Sequence, residues 1–250
     1  MKKIALGILV ALTILAVAGG AAASMIIPAA DQAKDKAPAP DKSPVIGENW
    51  DLERVDFIHY VRPANPGKPA KEPSCYKLLG VKWNSLPVSY VVNPVNNSGL
   101  DESFIVGAIS TSAETWDSAT SKELFNPATV NYSAQYGVQN YQNAIAFGDY
   151  PDANVIAVTS IWYTRVGKQI VEFDILFNTK FAWGDATLNG GVMDLQNIAT
   201  HEIGHGAGLD DIYATACDQV TMYGYSDYGE TIKRTLEQPD ITGLQKMYGN

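Results

Sequence analysis

The order of apolar and polar residues beyond position 85 predicts strands and helices in alternation. Apolar and polar residues alternate over Leu86–Val92, and this segment is rich in β-branched residues. Both features are typical of a strand. Leu100–Thr120 instead carries apolar residues at helical spacing, with two acidic residues near its start. Further strands are predicted at Ala128–Ala134, Asn143–Phe147, Val155–Tyr163 and Gln169–Phe177.

The last two of these strands flank a turn at Val166–Lys168, so they should pair as a hairpin. A helix is predicted over Val192–Gly206, and a final helix over Ile241–Tyr248 with Asp240 as its cap. The roughly 175 residues from Cys75 onward are enough to bury one substantial core. We therefore expect one α+β domain over residues 75–250.

The N-terminus has the pattern of an export signal. Two lysines precede the apolar run Ile4–Ala18, and small residues follow from Gly19 to Ser24. This pattern predicts a signal peptide over residues 1–24, cleaved near Ala23. The alternative treats Ile4–Ile27 as one apolar stretch, which is long enough to remain as a membrane anchor. Either way, the domain that follows is expected to be exported.

Residues 25–74 predict a linker and an arm. Pro28–Pro44 and Pro63–Pro73 are rich in proline and poor in large apolar residues, so neither can bury much surface. Between them, Arg54–Tyr60 has the character of a short strand. The segment is interpreted either as an N-terminal arm or as a short pro-segment. His59 lies in it and is expected to be a surface or packing histidine.

Composition narrows the classes of partner. The chain is 46% hydrophobic and 18% charged, as in an ordinary globular protein, and its net charge is −9. Such a charge favours solubility and argues against binding to nucleic acid. It also leaves aspartates available for Ca²⁺, although no EF-hand spacing is present. We expect a monomer that reaches a membrane only through an uncleaved N-terminal segment.

The candidate chemistry lies in the predicted helix that ends near residue 206. His201 and His205 are four residues apart, so a helix presents both imidazoles on one face. Two imidazoles in this arrangement bind Zn²⁺, and Glu202 beside them can hold a water against the metal. The HExxH spacing therefore predicts one catalytic zinc ion.

The residues after the second histidine suggest the third ligand. Gly208 suits a helix end because glycine accepts a left-handed backbone. The chain can then turn back and offer Asp211. No histidine follows His205, so the third protein ligand is an oxygen or is missing. Carboxylate oxygen is an acceptable zinc ligand. Asp210 is the nearest rival.

The motif HExxHxxGxxD, with a terminal aspartate in place of histidine, resembles that of the metzincin peptidases. From Val81 to Gly249 the chain is similar to the matrixin type of that class. The resemblance rests on HExxHxxG, with support from the segments Trp83–Val92, Leu100–Thr120, Val192–Thr200 and Pro239–Gly249.

The resemblance implies a metzincin-type zincin fold: a twisted, mixed five-stranded sheet with one antiparallel edge strand, and three helices. Val155–Tyr163 would be that antiparallel edge. An aspartate as third ligand resembles the snapalysin type. Thr221–Gly224 resembles the methionine turn of metzincins, which makes Met222 an apolar support beneath the imidazoles. Tyr223 and Tyr225 would line the substrate pocket or donate to an oxyanion.

These parts together predict a secreted zinc endopeptidase that acts on protein or peptide substrates. Zn²⁺ held by His201, His205 and Asp211 leaves a fourth position for water. Glu202 would take the proton of that water and pass it to the leaving amine. The substrate would lie along the edge strand and extend the sheet.

Three alternatives remain open at this stage. A gluzincin-type peptidase would use Glu230 as third ligand, and an aspzincin-type peptidase would use Asp227. An exported module with a structural zinc would need four protein ligands and would have to recruit Cys217.

The two cysteines, Cys75 and Cys217, are expected to pair in an exported protein. Such a disulfide would tie the N-terminal arm to the loop beside the zinc. The alternatives are free thiols, or a latency switch in which a pro-segment thiolate binds the zinc, as in matrixin precursors.

Overall fold

The computed structural model describes residues 51–64 and 74–250. The predicted signal or anchor, the first linker and most of the second proline-rich spacer lie outside these residues. Within the described ranges, no helix has the length and hydrophobicity needed to cross a membrane.

The fold is α+β and consists of one mixed sheet, a small strand pair and three α-helices among the described residues. The helices are α1 (Glu102–Asp117), α2 (Leu195–Gly206) and α3 (Gln238–Tyr248). The strands are β1 (Leu52–Val61), β2 (Tyr90–Asn93), β3 (Thr129–Val130), β4 (Asn143–Gly148), β5 (Val155–Thr164), β6 (Ile170–Asn178), β7 (Trp183–Gly184), β8 (Met193–Asp194) and β9 (Tyr225–Ser226).

The large sheet has seven strands in the order β3-β2-β4-β6-β5-β1-β9, and β7 pairs with β8 alone. The predicted hairpin is confirmed, since β5 and β6 pair antiparallel from Ala157 opposite Phe177 to Tyr163 opposite Ile170. The first predicted strand is shorter than expected and begins at Tyr90. The five expected strands are therefore present, and two more extend the sheet beyond β5.

The position of β5 at the edge was predicted wrongly. β1 pairs antiparallel with β5 along almost its whole length, so β5 is an interior strand. The physical reason is that a free edge presents unpaired N–H and C=O groups, which any nearby extended segment can satisfy. The arm that contains Arg54–Tyr60 supplies such a segment.

Apolar side chains cover both faces of the sheet. The main cluster packs the sheet against α1 and α2 and includes Trp116, Phe173 and Ile203. A smaller cluster on the opposite face includes Val158 and Leu176. Successive strand residues point to opposite faces, so the central strands are buried throughout. This packing places α2 against β5, where the Thr159 hydroxyl contacts Glu202.

The role of Asp240 as a helix cap was also predicted wrongly. Helix α3 begins at Gln238 with Glu237 as its cap, and Asp240 is the third residue inside. The Asp240 carboxylate accepts hydrogen bonds from the backbone N–H groups of Glu237 (3.0 Å), Thr221 (2.9 Å) and Met222 (3.2 Å). It therefore joins α3 to the predicted methionine turn.

Helix α2 begins and ends at identifiable residues. The Asp194 side chain accepts from the Asn197 N–H at 2.8 Å, which caps the first turn. At the other end, Gly208 adopts a φ of +105°, and a Cβ there would lie 2.6 Å from the carbonyl oxygen of Val81. Glycine is thus required for the turn that follows the helix.

Replacing Gly208 with alanine should lower the free energy of unfolding by about 1–3 kcal/mol, because the new methyl group meets backbone at a strained φ. The matched control is Gly107→Ala in α1, where a Cβ meets nothing within 4 Å. That variant should be stabilised by up to about 1 kcal/mol. Urea unfolding compares the two, and equal midpoints would contradict the assignment.

Candidate metal centre and catalytic site

The two histidines of α2 aim one nitrogen each at a common point. Nδ1 of His201 lies 2.8 Å from the carbonyl oxygen of Thr221, and Nδ1 of His205 lies 3.0 Å from that of Leu209. A carbonyl only accepts, so both Nδ1 atoms carry the proton. The two Nε2 lone pairs then face each other at 3.1 Å, an arrangement that needs a cation or a proton between them.

Asp211 completes this group. Its Oδ1 atom lies 3.3 Å from Nε2 of His201 and 3.5 Å from Nε2 of His205. This oxygen is buried and has no hydrogen-bond partner within the described ranges. Ligands about 2.0–2.1 Å from a tetrahedral zinc ion stand roughly 3.3 Å apart. The three residues therefore fit Zn²⁺.

Burial and neighbouring charge set the ionisation of this group. Burial alone would raise the pKa of Asp211, but the imidazoles of His205 and His201 outweigh it and hold that pKa well below its usual range. Burial lowers the pKa of His201 to about 4, which keeps its imidazole neutral. A carboxylate and a neutral imidazole are the forms that bind zinc.

Both oxygens of Glu202 are engaged. Oε1 lies 2.9 Å from Nδ1 of His59, and Oε2 accepts from the Thr159 hydroxyl at 2.5 Å. Burial raises the pKa of Glu202 to about 7. The structure thus places the predicted base directly beside the histidine pair, with its side chain fixed from two strands.

His59 was expected to be a surface or packing histidine; the surface alternative is wrong, and the buried side chain also contacts the catalytic residues. It is 1% exposed, and its Nε2 lies 3.1 Å from the Ser226 hydroxyl. Its ring centre lies 4.0 Å from that of His201. The signal for this role was the alternation of the strand, which puts His59 on the same face as Phe57.

The rival ligands have other partners. Asp210 pairs with Lys77 at 2.9 Å. Asp227 pairs with Arg62 at 2.9 Å, and Glu230 accepts from the Ser226 hydroxyl at 3.0 Å.

A disulfide joins Cys75 to Cys217 in the structure. Cys217 is therefore no thiolate, and neither a structural zinc site built on it nor a thiolate switch is supported.

Met222, Tyr223 and Tyr225, the residues predicted in and after the methionine turn, are buried or half-buried. Met222 is 1% exposed, and a Cβ on Gly204 would lie 2.4 Å from its sulfur, so Met222 packs against α2 at Gly204. Tyr223 is buried, and the guanidinium of Arg62 lies 5.1 Å from its ring centre. Tyr225 is half-buried beside Tyr223, with ring centres 5.8 Å apart.

One further residue, Tyr213, contacts a proposed metal ligand and was not predicted from the sequence. The Tyr213 hydroxyl donates to Oδ2 of Asp211 at 3.0 Å, which leaves Oδ1 to face the imidazoles. No spacing rule marks a tyrosine two residues after a ligand.

Two groups of metal-ligating side chains form within residues 51–64 and 74–250. One is His201, His205 and Asp211, and the other is His59, His201 and Glu202. Ca²⁺ prefers ligands that are all oxygen, and neither group is of that kind. The described residues therefore give no support for a calcium site.

A helix with two converging imidazoles, an acid just past its end and a mixed sheet above it are together typical of the class of zinc-dependent metallopeptidases. The family model described as Matrixin matches residues 82–249. The chain belongs to the matrixin family, as its motif suggested. It is also similar to karilysin from Tannerella forsythia, with 25% identity over 177 residues. That match covers 70% of this chain and 34% of karilysin, so the chain spans about a third of the length of this relative.

Removing the Tyr213 hydroxyl should weaken metal binding without changing the fold, because it orients a ligand from outside. Tyr213→Phe is expected to lower zinc affinity about 10–100-fold, measured by competition with a chromophoric chelator. Tyr228→Phe is the matched control, since Tyr228 is 49% exposed. Equal affinities for the two variants would show that Tyr213 does not hold Asp211 in place.

Proposed function

We propose that this protein is a zinc-dependent endopeptidase whose metal is held by His201, His205 and Asp211. The observation that carries the proposal is the convergence of two Nε2 atoms and one unpartnered carboxylate oxygen within 4.8 Å of one another. Membership of the matrixin family supports the same conclusion.

The zinc ion and the side chains of the protein contribute different parts of the reaction. When bound, zinc supplies Lewis-acid polarisation of the scissile carbonyl and makes water acidic enough to attack near neutral pH. Glu202 accepts the proton of the attacking water and delivers it to the nitrogen of the leaving amine as the C–N bond breaks. Thr159 positions the carboxylate through its hydrogen bond to Oε2.

We further propose where the substrate lies. An extended peptide that takes the place of β1 on β5, on the side away from β6, would lie close to Glu202, which Thr159 of β5 contacts. Tyr223 and Tyr225 stand near the far end of this path and are proposed to wall a side-chain pocket. Met222 would support the imidazoles from below.

Export is part of the same proposal. The disulfide between Cys75 and Cys217 suits an oxidising compartment. The net charge of −9 is consistent with a soluble extracellular domain. The extracellular location, the signal-or-anchor alternative and the monomeric state remain predictions.

Zinc stoichiometry tests the ligand set. The purified chain should hold one zinc ion, and Asp211→Ala should lower its affinity at least 100-fold, since it removes a charged ligand. Asp227→Ala is the control that should keep the affinity unchanged, and Asp210→Ala should lower it far less than Asp211→Ala, since the Asp210 carboxylate only accepts from the Asp211 backbone N–H at 2.8 Å. Elemental analysis after dialysis against a graded chelator gives the comparison. Loss of zinc from Asp210→Ala instead would reassign the third ligand.

The Glu202→Ala variant tests whether Glu202 is the general base. This variant should retain zinc yet hydrolyse casein about 10²–10⁴-fold more slowly, because it removes the side chain proposed to accept the proton. Both the full chain and a chain cut between residues 64 and 74 are assayed. A Glu202→Ala protein as active as its parent would remove Glu202 from the mechanism.

A further inference from the structure

We propose that residues 75–79 form a clamp that positions the third metal ligand, and that the disulfide of this clamp makes zinc retention depend on oxidation. The inference rests on the proposed function, because it takes Asp211 as a ligand of the same metal. It gives a role to a segment that lies before residue 82, where the match to the matrixin family begins.

The backbone of the clamp pairs with the chain that leads from α2 to the third ligand. The Leu79 N–H donates to the carbonyl oxygen of Gly208 at 2.9 Å. The Asp210 N–H donates to the carbonyl oxygen of Lys77 at 2.9 Å, so the two segments run antiparallel. The turn at Gly208 and the residue just before the ligand are therefore both held by the clamp.

A side-chain contact carries this hold to the ligand itself. The ammonium group of Lys77 lies 2.9 Å from Oδ2 of Asp210. Oδ1 of the same carboxylate accepts from the backbone N–H of Asp211 at 2.8 Å. The Lys77 side chain is 49% exposed, so water screens this ion pair and it stabilises the arrangement only slightly. The hold on Asp211 therefore depends on the rest of the clamp.

The disulfide is the covalent part of the clamp. It joins Cys75 to Cys217 across a sequence separation of 142 residues. Cys217 is 4% exposed and lies in the loop between Asp211 and Met222. A cross-link over so long a separation strongly restricts the chain when it opens. Cleaving the disulfide leaves this loop held to the clamp by non-covalent contacts alone.

The methionine turn holds the ligand from its other side. The Ile212 N–H donates to the carbonyl oxygen of Met222 at 2.8 Å, and the Gly224 N–H donates to that of Ile212 at 2.9 Å. Asp211 thus lies between one neighbour held by the clamp and one held by the turn. Opening the clamp should therefore weaken zinc binding without abolishing it.

Reduction is the step that opens the clamp. A dithiol supplies two electrons and two protons, the Sγ–Sγ bond between Cys75 and Cys217 breaks, and two thiols form. The dithiol closes into its own disulfide, which balances the exchange. The chain should therefore hold zinc weakly in a reducing compartment and tightly in an oxidising one.

The first test removes the disulfide from the full chain. The double variant Cys75→Ser with Cys217→Ser should bind zinc about 10–100-fold more weakly than the parent, as for contacts that orient a ligand from outside. Competition with a chromophoric chelator measures the affinity.

The matched control is Leu176→Ala, which leaves a cavity in the smaller cluster on the opposite face of the sheet. It should lower the free energy of unfolding and leave zinc affinity unchanged. Co²⁺ bound in place of zinc gives a second readout, because its visible absorption depends on the number and geometry of its ligands. The spectrum should change in the double variant and match the parent in Leu176→Ala.

A second form of the test keeps the native sequence, in case the double variant does not fold. Tris(2-carboxyethyl)phosphine carries no thiol that could bind zinc. With one water molecule it becomes the phosphine oxide, and both sulfurs are left as thiols. The zinc affinity of the reduced parent should fall about 10–100-fold. The amides of Leu79 and Asp210 should then exchange hydrogen faster, and the double variant should not respond to the phosphine.

The outcomes separate this inference from the proposed function. Equal zinc affinities for the oxidised parent, the reduced parent and the double variant would overturn the inference and leave the proposed function standing. Tighter binding after reduction would also overturn the inference, because it would mean that a freed thiolate joins the metal. A parent that binds no zinc in either redox state would instead overturn the proposed function.

Discussion

The structure depends on three electron-rich atoms held together in a space without water. The Nε2 atoms of His201 and His205 and the Oδ1 atom of Asp211 lie 3.1–3.5 Å apart, and none of the three residues is more than 6% exposed. Gathering such atoms in a low-dielectric interior is unfavourable unless a cation lies among them. A metal ion among the three atoms, or a proton on one imidazole, is therefore a condition for this packing to be favourable.

Much of the surrounding fold fixes these three atoms. Gly208 lets the chain turn back at the end of α2, so that Asp211 approaches from another direction. The Asp240 carboxylate holds the turn whose Thr221 carbonyl orients His201. Tyr213 orients the carboxylate of Asp211 itself. Together these contacts link α2, the turn at Thr221 and α3 to one point.

The features that could be predicted from the sequence are those that depend on local patterns of residues. The β5–β6 hairpin followed from alternation and a turn, and the spacing of His201 and His205 follows from helical periodicity. Asp240 was misplaced because the residue that caps a helix is settled by its tertiary partners as well as by local preference. The docking of β1 on β5 was out of reach, since pairing across about a hundred residues leaves no local signal. The contact between His59 and Glu202 was missed for the same reason.

X-ray absorption at the zinc edge tests the central claim most directly, because it counts the metal's neighbours by element and distance. For the zinc-loaded full chain we expect two imidazole nitrogens and carboxylate oxygen at about 2.0–2.2 Å, without sulfur. A third imidazole would place His59 on the metal, and a sulfur neighbour or a single imidazole would exclude the ligand set of His201, His205 and Asp211. Any of these three results would contradict the account.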